Sequence, residues 1–444
     1  MLSKEEIFEA LTTWNYWNSP MPETVHRPAY EMQIMRKAKA GEILILKGVR
    51  RSGKSTLLIN EMKRLVAEGC DVNRILYVNF EDPRFINHLN PALMELIKET
   101  YLEFMAPKDK PFFFFDEVQN IPAWEKWLLK EYATKSAHLY VTGSCSSLLS
   151  REIGTALSGR YLDIEVFPLS FQEFLDFIGI TVNSKAERVS RKTELNRAFR
   201  TFMDQGGFPK LVELPDDESR QDLLSSYFDS ILLRDIVARH NLTNYRTLEE
   251  IASFLLANTG SLNSTNKLKN SFGLSYEKAK DFCGFLEEAY LIFQLHRFSW
   301  SVKKQLANVR KFYAIDTGLA NRVSFQVGSR QGQNLENIIF LDLLRRGKEI
   351  YYYKTKNDYE VDFLVKEGKT VRQLIQVSYS IADEQTKKRE CTALKTAAEE
   401  LGEDLPCLVL TMDRSETIQW QGMTIEIMNV IDWLLDGGGE EMIR

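Results

Sequence analysis

The sequence is poor in the residues that staple a chain, stiffen it or bind metals. Of its 444 residues, five are cysteine, five histidine and twelve proline. Cys70, Cys145, Cys283, Cys391 and Cys407 are scattered, odd in number and form no C-x-x-C pair. That excludes a disulfide framework and a zinc site of the usual spacing, and implies reduced thiols in a reducing compartment. There is no excess of basic charge. With a formal net charge of -5, the chain is not a bulk nucleic-acid binder, although net charge averages over domains and leaves room for a local basic face. Long hydrophobic runs are missing too. The stretch from Pro111 to Phe115 is among the longest, far short of a bilayer span. Met1 to Glu6 has neither the basic start nor the apolar core of a signal peptide. These absences predict a cytoplasmic chain with no membrane partner. No internal repeat or low-complexity segment is found.

What is present is the balance of an ordinary folded protein: 44% hydrophobic, 27% charged and 11% aromatic. At about 150 residues per domain, this length makes about three domains. Ser3 and Glu6 form a capping box, and Ile7, Leu11 and Trp14 follow at helical spacing up to Pro20 and Pro22. A second helix is predicted from Tyr30 to Ala40. From Ile43 the pattern switches to short, continuously apolar strands at 43–46, 75–80, 112–115, 139–141 and 162–166, separated by helical segments. That alternation predicts an α/β fold, a buried parallel sheet with helices on both faces. Further on, helices at 249–257 and 266–271 precede a stripe of Ala279, Phe282, Cys283, Leu286, Ala289, Tyr290 and Phe293 at helical spacing. Strand-like 292–298 and 311–315 follow, and three helices with a hairpin-like pair suit a winged helix. A last α/β block is predicted from helix 336–346, strands 350–353, 360–366 and 374–377, helix 384–401 and strand 407–411. It closes on an amphipathic stretch, 425–435.

Gly48-Val49-Arg50-Arg51-Ser52-Gly53-Lys54-Ser55 matches G-x-x-x-x-G-K-[ST] in full, with a strand before it and a helix, running on through Thr56, after it. Glycines let such a loop wrap a phosphate and aim its N–H groups at the oxygens, and the helix N-terminus adds its positive dipole end. Lys54 is expected to bridge the terminal phosphates of ATP and Ser55 to ligate Mg²⁺. Four apolar residues, 112–115, then deliver Asp116 and Glu117 to the C-terminal edge of the sheet, where open α/β sheets bind ligands. Asp116 is assigned to Mg²⁺ and Glu117 to the general base that activates water. Val141-Thr142-Gly143-Ser144 is expected on a strand between the phosphate loop and Asp116. Ser144 is placed ahead of Thr142 as a contact for the γ-phosphate or water, with Gln119 and Asn120 behind. Arg160 is a candidate transition-state arginine, acting in cis or from a neighbouring subunit. Arg50 and Arg51, inside the loop, are read as solvent-exposed by default, with phosphate or a neighbouring carboxylate such as Glu81 or Asp82 as the contacts open to them. Thr355-Lys356-Asn357-Asp358 has the letters of a GTPase base-reading motif but lies far beyond the sheet, and no D-x-x-G follows Asp116, so it is read as chance.

Taken together, the phosphate loop, Asn79 to Arg84, Asp116 to Gln119, Thr142 to Ser144, Ser158 to Tyr161, Phe167 to Phe171 and Glu360 to Phe363 resemble the prokaryotic AAA-type ATPases that carry a C-terminal domain of unknown function. The resemblance spans nearly the whole chain. It implies an AAA-type ATPase core, a winged helix and a C-terminal domain similar to restriction endonucleases. Active nucleases of that fold use a helix Glu, an Asp and then E-x-K. Here Glu336 and Asp362 fill the first two places, but Gln376-Val377-Ser378 fills the third, removing a carboxylate and the lysine. No nuclease activity is expected.

The resulting layout is an N-terminal helical segment at 1–40, the ATPase domain at 41–222, the winged helix at 223–326 and the endonuclease-like domain at 327–444. The expected activity is Mg-dependent ATP hydrolysis driving a switch or motor that acts on DNA or a protein partner, with a homo-oligomer if Arg160 is shared. A nuclease regulated by ATP, and a module that needs ATP occupancy without turnover, are the alternatives. Lys303, Lys304, Arg310 and Lys311 are expected to present a basic wing to phosphates. Glu277, Asp281, Glu287 and Glu288 are expected to make the helix before it acidic.

Overall fold

Short apolar runs become strands where a helix layer covers each face, and that is how the first five are used. The computed structural model describes residues 2–144, 157, 159–301, 303, 305, 309–324, 330–402 and 405–436. It divides into two compact units, Met1–Phe167 and Pro168–Arg444. The boundaries expected at 222 and 326 therefore fall inside the second unit. Cys145, Ser158 and Lys304 lie outside the described residues.

The first unit opens with α1 (Lys4–Trp14), capped by the predicted Ser3–Glu6 box, and α2 (Pro28–Ala38), which starts on a proline at a position where no N–H is needed. Then come β1 (Ile43–Lys47), α3 (Lys54–Ala67), β2 (Ile75–Asn79), α4 (Pro91–Met105), β3 (Phe112–Asp116), α5 (Trp124–Thr134), β4 (His138–Gly143) and β5 (Tyr161–Glu165). The strand order is β2-β3-β4-β1-β5 and every pairing is parallel. Alternate side chains serve the two faces. Ile43, Ile45, Phe113 and Phe115 join the core made with α1, α4 and α5. Leu44, Leu46, Phe114 and Tyr140 join the core made with α2 and α3. Phe113, Phe114 and Phe115 are at most 1% exposed. At about 1.5–3 kcal/mol for each buried large side chain, this run fixes β3 deep in the sheet. Asp116 and Glu117 then emerge at its C-terminal edge.

The second unit starts with helices α6 (Phe171–Phe177), α7 (Lys185–Ser190), α8 (Lys192–Gln205), α9 (Pro209–Val212) and α10 (Asp217–Ser230), the last running on as a wider π-type helix over Ile231–Ala238. Next are α11 (Arg246–Ala257), β6 (Leu262–Asn263), α12 (Thr265–Phe272), α13 (Tyr276–Glu288), β7 (Ile292–Leu295) and β8 (Arg310–Ala314). These strands form an antiparallel sheet in the order β6-β8-β7. The apolar stripe read along α13 does not stay helical to its end. Tyr290 has a φ of 59°, a left-handed residue that turns the chain, and Phe293 belongs to β7.

After α14 (Thr317–Val323) and α15 (Gln331–Arg345) come β9 (Glu349–Lys354), β10 (Glu360–Glu367), β11 (Thr370–Val377), α16 (Glu384–Leu401), β12 (Cys407–Thr411), β13 (Glu416–Trp420), β14 (Met423–Asn429) and α17 (Val430–Leu435). The sheet order is β13-β14-β12-β11-β10-β9, with β11, β12 and β14 parallel and the outer pairings antiparallel. The amphipathic stretch 425–435 splits into a strand and a helix because the Asn429 side chain accepts from the Ile431 N–H and caps α17. Asp358, in the Thr-Lys-x-Asp letters, adopts a left-handed φ of 69° between β9 and β10. Thr355 Oγ1 there accepts from the Tyr359 N–H at 3.0 Å. Those letters spell a hairpin turn. Among the described residues no helix is long and apolar enough to cross a membrane.

Candidate active site

The loop from Gly48 to Gly53 joins β1 to α3, so the parallel sheet presents it beside the ends of β3 and β4. Gly48 is required by contact: a Cβ there would lie 2.1 Å from the Val166 carbonyl oxygen. Gly53 has a φ of 96° and forms the N-cap of α3, a conformation glycine adopts at little cost. Val49 and Ser52 are fully buried, and the Ser52 hydroxyl has no hydrogen-bond partner among the described residues. The Lys54 ammonium is 4% exposed with its residue. It donates to the Gly48 and Val49 carbonyls at 3.0 Å each, and lies 3.8 Å from Glu117 Oε1. Ser55 and Thr56 stand in the first turn of α3.

Asp116 is buried and collects hydroxyls from three elements. Tyr77 in β2 donates at 2.7 Å, Thr142 in β4 donates to the other oxygen, and Ser55 adds a third bond. Burial, and then the like charge of Glu117, push the Asp116 carboxyl above its ordinary range, opposed by these donors. Glu117 has a left-handed φ of 55°, a conformation that costs a non-glycine residue and clusters at functional sites. Its N–H donates to Thr142 Oγ1 at 3.0 Å, which holds the turn. Burial alone would raise the Glu117 carboxyl, but the charges of Lys54 and Arg50 outweigh it and leave it below the usual range. It is therefore an ionised carboxylate at neutral pH, able to accept a proton.

Gln119 bridges this carboxylate to β4. Its amide nitrogen donates to Glu117 Oε2 and to Ser144 Oγ at 3.1 Å, and Ser144 also bonds Glu117. Gln119, ranked behind Ser144 and Thr142 in the sequence, thus touches the Glu117 carboxylate directly. Thr142 faces Asp116 while Ser144, just past β4, faces Glu117, so the two hydroxyls at this strand end serve different carboxylates. Arg50 does not take the solvent-exposed default: it is buried and forms a 2.7 Å ion pair with Glu81, one of the two carboxylates considered for it. Asp82 is taken by Arg84 and Trp14 instead. Arg51 is exposed, with a φ of 70°.

Arg160 is not brought to this site. Its carbonyl accepts from the Ile43 N–H, so it stands at the start of β1 and β5, at the edge opposite the phosphate loop. Five strand residues span about 16 Å at roughly 3.3 Å each, beyond the reach of its side chain. The cis role considered from the sequence is corrected on that ground.

Two contributors gave no sequence signal. Tyr77 is an inward residue of β2 like its apolar neighbours. Arg27 lies in the segment before α2. It is buried, stacks 4.4 Å over Tyr30, and donates to the Ser52 carbonyl at 2.9 Å and the Phe167 carbonyl at 3.0 Å. It braces the phosphate loop from behind.

A second polar cluster lies in the other unit. Lys311 was expected at a basic surface, but it is 2% exposed. Its ammonium contacts Glu360 Oε1 at 2.7 Å and Glu336 Oε1 and Asp362 Oδ1 at 2.9 Å. Arg310 donates to Gln294 Oε1 at 2.6 Å. The acidity expected of α13 is halved as well. Glu287 is half-buried and accepts from Gln294, and Glu288 meets Arg239 and His240.

Residues 40–175 match the family model described as an AAA domain. Residues 196–330 and 331–430 each match a domain of unknown function. An uncharacterized protein of Methanocaldococcus jannaschii is 33% identical over 410 residues, covering 90% of this chain and 88% of that protein. An uncharacterized protein of Haemophilus influenzae is 29% identical over 419 residues, covering 93% of this chain and 98% of that one. Among solved structures, AMPPCP-bound DnaA from Aquifex aeolicus is similar at a TM-score of 0.28 and 13% identity, over 60% of this chain and 89% of that one. C. elegans PCH-2 is similar at 0.27 and 15%, over 63% and 73%. Likenesses that weak carry no argument about function.

Proposed function

The chain belongs to the family of the Methanocaldococcus jannaschii protein, and from that premise we propose that it is a magnesium-dependent ATPase whose turnover drives a switch or motor acting on DNA. The observation that carries the enzymatic part is the convergence on one sheet edge of Lys54, Ser55, Asp116 and an ionised Glu117.

Loop N–H groups and the α3 N-terminus receive the phosphates. The buried Ser52 hydroxyl lacks a partner among the described residues, as expected of a group meant for a ligand oxygen. Lys54 gives up the Gly48 and Val49 carbonyls for the terminal phosphates. Ser55 and Asp116 are hard oxygen donors already joined to one another, a set that fits Mg²⁺ with phosphate and water completing the shell. Bound there, Mg²⁺ supplies charge neutralisation of the phosphates. Glu117 accepts the proton of the attacking water, with Gln119 and Ser144 fixing its orientation. Tyr77 and Thr142 hold Asp116 in place.

The β6-β8-β7 sheet with α11, α12 and α13 is read as the winged helix, and the last sheet with α15 and α16 as the endonuclease-like domain without its third motif. Lys267, Lys269, Lys278 and Lys280 are exposed on α12 and α13, against exposed Glu277 and Asp281. That surplus of lysine suits the phosphate backbone and favours DNA over an acidic-face protein contact.

Phosphate release from ATP by the full chain, with and without duplex DNA, tests the reading. Turnover is expected in the wild type, rising with DNA, and lost in Lys54→Ala. Equal turnover in the variant removes the assignment of the site, and a rate blind to DNA moves the partner to protein.

A further inference from the structure

The ammonium of Lys311 has three N–H donors and three carboxylate oxygens at 2.7–2.9 Å: Glu336 from α15, and Glu360 and Asp362 from β10. The lysine itself comes from β8, so one side chain ties a hairpin strand, a helix and a sheet strand together. The surroundings are shaped around the acids as much as around the lysine. Tyr313 donates to Glu336 Oε1 at 2.6 Å. The Val377 N–H donates to Asp362 Oδ2 at 3.0 Å, and the Asp362 N–H to Gln376 Oε1 at 3.3 Å. Gln376 in turn donates to Glu390 Oε2 at 2.7 Å.

Two features set this apart from a surface ion pair. The charges do not balance: three carboxylates meet one ammonium. Burial, only partly offset by Lys311 and aggravated by Asp362, pushes the Glu336 carboxyl up to about 7. The oxygens also converge on a single point, as they do around a bound ion. Among the described residues no group of three or more His, Cys, Asp or Glu could hold a metal ion as it stands. The Glu360 side chain is 30% exposed, so the pocket has a solvent side.

We propose that Lys311 is the resident cation of this pocket: its ammonium stands where a divalent ion would stand, closing the pocket to metal, and its removal opens a divalent-cation site. Hard divalent ions take carboxylate oxygens at about 2.0–2.6 Å, so a contraction of a few tenths of an ångström per oxygen converts one occupant into the other. Two positive charges also answer three carboxylates better than one. The intact chain thereby fastens the β8 hairpin to the last sheet without depending on metal supply.

The test uses Mn²⁺ as probe on the full chain without nucleotide, reading free Mn²⁺ by electron paramagnetic resonance and stability by thermal melting. Lys311→Ala is expected to gain one site at least tenfold tighter than any in the wild type. The gained site should vanish in Lys311→Ala/Asp362→Asn. Mn²⁺ should raise the melting temperature of Lys311→Ala and leave that of the wild type in place. If uncovering these carboxylates prevents folding without metal, refolding rescued by Mn²⁺ supports the proposal. Lys311→Met/Glu360→Gln, with one acid fewer, is the second variant. A folded variant that gains no Mn²⁺ site overturns the proposal. So does failure of both variants to fold with Mn²⁺ present.

Discussion

The hydroxyl of Tyr77 donates to Asp116 Oδ2 at 2.7 Å, joining a strand interior to the carboxylate assigned to Mg²⁺. The bond orients that carboxylate without touching nucleotide. Outer partners of metal ligands typically matter about 10–100-fold in metal affinity. Tyr77→Phe keeps the ring in the core and removes only the donor. Half-saturation of turnover by Mg²⁺ is expected to rise about tenfold or more, with the maximal rate restored at high Mg²⁺. An unchanged Mg²⁺ curve would make Tyr77 a packing residue.

Glu117→Gln removes the proton acceptor while keeping shape. Positioned bases contribute about 10²–10⁴-fold, so turnover should fall by at least about 100-fold. ATP binding should survive or tighten, because Lys54 loses a carboxylate 3.8 Å away that competes with phosphate for its charge. Equilibrium binding of a fluorescent ATP analogue, set beside phosphate release, separates the two effects. Loss of binding together with turnover would show that Glu117 holds the loop rather than the water.

Much of this site was legible because its parts are local in sequence. The phosphate loop, the four apolar residues before Asp116 and the strand that carries Thr142 each have their own pattern, and parallel pairing brings their ends together. What stayed hidden depends on which residues meet across strands. Tyr77 reads as one more core aromatic. Gln119 reads as a turn residue until its left-handed neighbour Glu117 aims both at Ser144. Lys311 reads as a surface lysine at a wing, since nothing local announces carboxylates from α15 and β10. The choice between a cis and a neighbouring-subunit role for Arg160 stayed open for the reverse reason: a motif next to a sheet does not say which edge of the sheet it serves.

That edge yields a prediction. Arg160 is exposed beside the start of β1, about one strand length from Lys54. Arg160→Ala should leave the turnover of the dilute chain unchanged, within about twofold. Any loss should appear only at protein concentrations where the wild-type rate per subunit rises, as expected if Arg160 completes a neighbour's site. A loss at high dilution would place the arginine in its own chain's chemistry and contradict the sheet geometry.

The N-terminal helix offers a pH-dependent test. Trp14 Nε1 donates to Asp82 Oδ2 at 2.6 Å, and Arg84 donates to the same carboxylate at 2.6 and 2.9 Å. The Arg84 bonds, opposed by burial and helped by Trp14, hold the Asp82 carboxyl down at about 2. A carboxyl depressed in the folded state stabilises the fold above its ordinary titration range, near 3.9. That contribution is lost as pH falls from about 4 through 2. The loss falls on α1, since Trp14 is its last residue. Acidification across that window should therefore lower the melting temperature and alter Trp14 emission, taken as the difference between wild type and Trp14→Phe. Asp82→Asn retains an acceptor for the indole but cannot ionise. It should melt lower than wild type at pH 7, and the gap should narrow as both are taken below pH 3. Parallel curves for the two proteins from pH 7 down to pH 2 would mean that Asp82 contributes nothing through its charge.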